Sequence, residues 1–248
     1  MLGIIGGSLV TKLANLDVTR RLVVRTPYGE PSAALTFGRI RGREVVFLAR
    51  HGYGNTIPPH EVNYCANIWA LHAQQVKDVV AIAAVGGIRG DLGPGTLAVP
   101  DQIIDYTHGR QSTYFSRTDH SVTHIDFTLP YCEAMRQRLI KAAQVAGEAV
   151  ADRATYAATQ GPRLETAAEI NRLERDGADI VGMTGMPEAA LAREIGLCYA
   201  ALAVIVNPAA GRGTSQLAIR FADINEVSQR AMERVRTILE QLVTLDGD

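Results

Sequence analysis

Asp179-Ile180-Val181-Gly182-Met183-Thr184-Gly185-Met186-Pro187-Glu188 begins as an apolar strand, breaks at Gly182 and resumes as a helix with Pro187 near its first turn. Proline is favoured there because its missing N–H would be unpaired anyway. A strand feeding a helix N-terminus turns free backbone N–H groups and the positive end of the helix dipole toward one spot. Thr184 adds a hydroxyl to that spot. Taken alone, an ordinary capped turn would read the same way. The fold follows from how often the pattern recurs.

Working outward, residues 155–159 form a strand candidate before Gln160-Gly161-Pro162-Arg163-Leu164-Glu165, and a helix follows from Thr166. Downstream, the apolar run 200–206 ends at Asn207-Pro208-Ala209-Ala210-Gly211. Run 79–85 is almost continuously apolar, as a strand buried on both faces should be, and it ends at Gly86-Gly87. Residues 2–5 run into Gly6-Gly7-Ser8, while 33–37 and 44–49 read as two strands, the second ending at Arg50-His51-Gly52. Shorter strand candidates lie at 96–99 and 103–104. Helical spacing appears from His60 (Tyr64, Ile68, Leu71), over 133–146 and over 223–245. Residues 107–124 are polar and read as a long functional loop. No linker or repeat interrupts the chain. The expectation is one α/β domain over 1–248, a three-layer α/β/α fold around a central mixed, mostly parallel sheet.

Composition narrows the function classes. Of 248 residues, 47% are hydrophobic and 21% charged, and the net charge of −1 gives no bulk attraction to nucleic acid or membrane. No run reaches the roughly 18 apolar residues of a membrane span, and the first ten residues lack the basic start of a signal peptide. Cys65, Cys132 and Cys198 are odd in number and far apart, which argues against a disulfide framework or zinc cage and for the reducing cytoplasm.

Ligands of open α/β sheets bind at the carboxyl ends of strands, and here those ends carry chemistry. Ser8, Arg50, His51 and Thr184 suit a phosphate-like anion through hydroxyls and a guanidinium fork. Glu165 and Asn207 suit a flat heterocycle with donors and acceptors. No Gly-x-Ser-x-Gly elbow, His-Glu-x-x-His pair or Gly-Lys-Ser/Thr P-loop is present. The residues therefore point to an anion beside a heterocycle, with no covalent nucleophile, metal or cofactor implied.

Those segments carry a family resemblance. Leu48-Ala49-Arg50-His51-Gly52, Asn63-Tyr64 with Ala66-Asn67, Gly161 to Thr166, Gly182-Met183-Thr184 and Pro187-Glu188 resemble the trimeric purine nucleoside and methylthioadenosine phosphorylases, over about residues 3–211. Residues 181–194 and 206–211 are most similar to the bacterial branch acting on S-methyl-5′-thioinosine. The resemblance implies a homotrimer in which phosphate attacks a nucleoside's anomeric carbon and releases the base. It implies phosphate on Ser8, Arg50, His51, Thr184 and the Ala84 backbone N–H, ribose against Met183, and base against Leu164. Asn207 would be the catalytic donor to the leaving purine.

Methylthioadenosine enzymes carry aspartates at the positions of Asn207 and Ala209, so the resemblance, with an Asn/Ala pair here, implies a 6-oxopurine. Glu165 could accept the ring N–H that 6-oxopurines have and adenine lacks. The expected products are hypoxanthine and 5-methylthioribose 1-phosphate. The alternatives are inosine or guanosine, methylthioadenosine, or an inactive nucleoside-binding paralogue. For the 5′ side, Ile219 is the candidate apolar wall, with Leu217 nearby, and His124 would reach in from a neighbouring subunit. Leu9, Asn55 and Ala83 depart from the family pattern, and Leu9 is expected to crowd the phosphate loop.

Overall fold

The apolar run at 79–85 forms the strand on which the sheet converges. The computed structural model describes residues 1–10, 13–116 and 122–245. Among them, the first half runs β1 (Leu2–Gly6), β2 (Asp17–Leu22), β3 (Leu35–Ile40), β4 (Arg43–Ala49), α1 (Tyr64–Ala73), β5 (Asp78–Gly87), β6 (Leu97–Ala98) and β7 (Gln102–Asp105). The second half runs α2 (Glu133–Val145), β8 (Val150–Ala151), β9 (Thr155–Ala158), α3 (Ala167–Arg175), β10 (Ile180–Gly182), α4 (Gly185–Glu194), β11 (Cys198–Pro208) and α5 (Phe221–Leu245). Of the predicted loop, 107–116 and 122–124 contain no helix or strand, and the rest lies outside the described residues.

The main sheet path is β2-β3-β4-β1-β5-β10-β9-β7, and β11 pairs along the other edge of β5. Parallel pairing joins β1 to β4 and β5, β9 to β10 and β7, β11 to β5, and β6 to β8. The sheet is therefore mixed and mostly parallel, as expected. Alternate residues of β5 face opposite layers, as the period of a strand requires. Val79, Ala81, Ala83 and Val85 pack with α1 and α4 residues such as Ile68, Leu71 and Leu191. Val80 and Ile82 pack with Met135 and Leu139 of α2 and with Val235, Ile238 and Leu242 of α5.

Two features escape the sequence pattern. β2 is exposed along nearly its whole length, so it has no apolar alternation to read. It is an edge strand bearing Arg20 and Arg21, the kind of charge that blunts edge pairing, and Arg20 stacks 4.1 Å from the Phe37 ring centroid. The cysteine reading is corrected: Cys132 and Cys198 form a disulfide with Cα atoms 5.1 Å apart. Cys132 precedes α2 and Cys198 opens β11, two elements that pack together, so a separation of 66 residues vanishes in space. Cys65 is free and buried. Among the described residues, no helix is long and apolar enough to cross a membrane.

Candidate active site

Two strands meet the same edge of β5 from opposite directions. β1 pairs in parallel through Ile5 and Ala81, and β10 pairs antiparallel through Val181 and Gly86. Their carboxyl ends thus face each other across Ile82–Val85, which neither strand covers. Both ends open into one cavity of about 230 Å³. Ser8 enters it from the end of β1, Thr184 from β10, Arg50 and His51 from β4, and Ala84 from β5. Leu164, Glu165, Met183, Asn207, Ala209 and Ile219 line the same cavity. Every residue expected in the site is there except His124, which is exposed and outside it.

The opening stretch behaves as a junction with one refinement. Met186 has extended backbone (φ −118°, ψ 141°), so the continuous part of α4 begins at Pro187, after a cis Met186-Pro187 peptide. Gly182, Met183 and Thr184 line the cavity, whereas Gly185 to Glu188 do not. The polar side chain that this turn presents to the cavity is therefore Thr184, and the leading amides of the helix lie outside its lining. Gly182 is needed for close approach, since a Cβ there would lie 2.3 Å from the Tyr156 hydroxyl.

Arg50 is 1% exposed and forms a two-pronged pair with Glu188, Nε to Oε1 at 2.7 Å and Nη2 to Oε2 at 2.8 Å. Nη1 donates to the Ile82 carbonyl at 3.1 Å, and the Tyr199 hydroxyl donates to Glu188 Oε2 at 2.8 Å. Burial alone would lower the Arg50 pKa, but the Glu188 carboxylate outweighs it and the net shift is upward. Guanidinium has five N–H groups, so two remain without a partner among the described residues. Gly7 is the close neighbour that permits this, because a Cβ there would meet Nη1 at 2.9 Å.

His51 Nδ1 lies 2.8 Å from the Ile57 carbonyl. A carbonyl only accepts, so in the neutral ring Nδ1 carries the proton and Nε2 is left as an acceptor. Burial first, and the Arg50 charge second, hold the imidazole below its ordinary pKa. The unfolded chain therefore binds the proton more readily, and stability is full above about pH 6.5 and declines as pH falls through that value. Thermal melting across that range should show a steeper acid slope for wild type than for His51→Asn; parallel curves would contradict this account.

Elsewhere in the lining, Glu165 Oε1 accepts from Thr159 Oγ1 at 2.6 Å, which fixes its carboxylate. Asn207 Nδ2 donates to the Pro208 carbonyl at 2.6 Å, leaving its second N–H available. The β11 register shifts between Ile205 and Asn207. Such a bulge re-aims side chains, and consecutive Val206 and Asn207 both line the cavity. Ile219, Phe221 and Ile224 contribute apolar lining to the same cavity. Leu217 is fully exposed and lines only a shallow neighbouring depression.

Sequence reasoning missed Glu188 and Tyr199 as supports of Arg50, Thr159 as the support of Glu165, and Phe221 and Ile224 in the apolar wall. For Glu188 a signal existed, since a buried arginine requires a counter-ion. Leu9 does not line the cavity and packs on the α2/α5 side of the core. Ala83 is core, and Asn55 occupies a left-handed turn position (φ 53°). Among the described residues, no cluster of three or more His, Cys, Asp or Glu could hold a metal.

Residues 2–244 match the family described as the phosphorylase superfamily. A probable S-methyl-5′-thioinosine phosphorylase from Pseudomonas syringae pv. tomato is 52% identical, with 97% of each chain covered. A 6-oxopurine nucleoside phosphorylase from Pyrococcus furiosus is 42% identical over 98% of this chain and 92% of its own. Among solved structures, methylthioadenosine phosphorylase from Schistosoma mansoni in complex with adenine superposes with a TM-score of 0.94. It shares 34% identity, and the match covers 99% of this chain and 91% of that one.

Proposed function

The chain belongs to the phosphorylase superfamily as a pentosyltransferase of the purine nucleoside phosphorylase type, and we propose that it converts S-methyl-5′-thioinosine and phosphate into hypoxanthine and 5-methylthioribose 1-phosphate. The observation that carries the reading is that Ser8, Arg50, His51 and Thr184 share one cavity with Glu165 and Asn207. Phosphate held by Ser8, the two remaining Arg50 N–H groups, Thr184 and the Ala84 backbone would sit beneath the sugar. A phosphate oxygen forms the new bond to the anomeric carbon as the glycosidic C–N bond breaks, and the bond's electron pair leaves with the purine. Met183 lines the ribose and Leu164 packs on the base. Asn207 donates to the purine as its negative charge grows, and a donor aimed at developing charge lowers the barrier. His51 Nε2, an acceptor, suits a P–OH of partly protonated phosphate.

Glu165 supports a 6-oxopurine because a carboxylate oriented by Thr159 can accept the ring N–H that adenine lacks. Ile219, Phe221 and Ile224 support a methylthio group over a hydroxyl at the 5′ end, since an apolar wall gains nothing from a hydroxyl. Inosine or guanosine is the second reading, favoured by the Pyrococcus relative. No cofactor other than phosphate as co-substrate is needed, and the Cys132–Cys198 disulfide withdraws the cysteine argument for a reducing cytoplasm. A homotrimer is the proposed assembly: Phe221, in the apolar wall, is 67% exposed, and His124 lies outside its own chain's cavity.

Base release from methylthioinosine, methylthioadenosine, inosine and guanosine, with and without phosphate, tests the reading. Methylthioinosine should be cleaved fastest and only with phosphate. Faster turnover of methylthioadenosine would overturn the 6-oxopurine assignment, and no phosphate-dependent release would leave a nucleoside binder.

A further inference from the structure

The loop after β7 sends a half-buried arginine behind the wall of this cavity. Arg110 Nη1 donates to the Met183 carbonyl at 2.8 Å, the Met186 carbonyl at 2.6 Å and the Tyr64 hydroxyl at 3.2 Å. Nη2 donates to the Gln160 carbonyl at 2.8 Å and the Thr159 carbonyl at 3.3 Å. The guanidinium carbon also stands 5.3 Å from the Tyr64 ring centroid. Each of these acceptors is uncharged, and Nε is buried without a partner among the described residues. Arg50 spends its charge on Glu188; Arg110 meets only dipoles in these contacts.

The gripped carbonyls are not scattered. Met183 and Met186 flank Thr184 on one strand-to-helix turn, and Thr159 and Gln160 begin the segment that leads to Leu164 and Glu165. We propose that Arg110 is a positioning residue for this reaction: it locks the Thr184 turn and the Glu165 segment to each other and sets the phosphate and base subsites in register. The proposal rests on the reading of the cavity as a phosphorolysis site. A planar fork spanning several carbonyls is a task for guanidinium that the point charge of lysine does poorly.

Calorimetric titration with inorganic phosphate, together with steady-state kinetics, tests this in wild type, Arg110→Ala and Arg110→Lys. Misplacement of bound groups by about 1 Å can cost about 100-fold, so Arg110→Ala should lose roughly 10- to 100-fold in kcat and bind phosphate more weakly. Arg110→Lys should fall in between, and millimolar guanidinium should restore part of both losses in Arg110→Ala. A merely structural role would give losses that follow the fall in melting temperature and resist guanidinium, which would overturn the proposal. So would a folded Arg110→Ala with wild-type phosphate affinity and kcat. Wild type that binds phosphate but cleaves no nucleoside would sink the phosphorolysis reading, and the positioning role in that reaction with it. Active wild type beside an unaffected Arg110→Ala would sink the positioning role alone.

Discussion

Glu188→Ala should destabilise the fold by about 3–5 kcal/mol, because removing one partner of a buried ion pair leaves the other charge uncompensated. Glu188 is 0% exposed and Arg50 1%, so water cannot replace the carboxylate, and the Tyr199 hydroxyl loses its acceptor as well. For a domain of this size each kcal/mol moves the melting temperature by about 2–4 °C, so the drop should be unmistakable. Phosphate provides a second reading. Bound near Arg50 it would supply the missing negative charge, so saturating phosphate should raise the melting temperature more in Glu188→Ala than in wild type. The double variant Arg50→Met/Glu188→Leu separates the two roles. Apolar replacement of a buried pair is often neutral or stabilising, so the double variant should recover much of the melting temperature yet remain inactive. A Glu188→Ala protein that melts with wild type would refute the account, as would a double variant that retains phosphorolysis.

The elements that could be read from sequence are those whose burial leaves a pattern. β5 and β11 are buried on both faces and read as continuous apolar runs, and α5 is amphipathic over its length. β2 buries almost nothing and left no trace. The site was legible because its residues sit at strand ends, where chain order and position in the sheet coincide. What supports it was not. Glu188 lies 138 positions from Arg50, Arg110 lies 73 from Met183, and Cys132 lies 66 from Cys198. Long-range contacts of this kind are set by packing, and no local spacing encodes them.

Asn207→Ala should lower kcat/KM for methylthioinosine by roughly two to three decades, the loss of about 3 kcal/mol expected when one donor to a developing negative charge is removed. Asn207 stands at the β11 bulge, one residue beyond Val206, and its amide has few local duties, since among the described residues its only hydrogen bond is to Pro208. Truncation should therefore leave the melting temperature near wild type and the KM for phosphate little changed. Asn207→Asp makes the sharper test. A carboxyl can donate only when protonated, whereas the amide donates at any pH. Activity of Asn207→Asp on a 6-oxopurine should thus fall as pH rises, while wild type keeps its rate over the same range. Paired with Ala209→Asp, it should shift preference toward 6-aminopurines, since acceptor and donor roles at the base edge exchange. The ratio of kcat/KM for methylthioinosine over methylthioadenosine measures that shift. If the ratio stays at its wild-type value in the double variant, base selection does not reside at these two positions and falls to Glu165 alone.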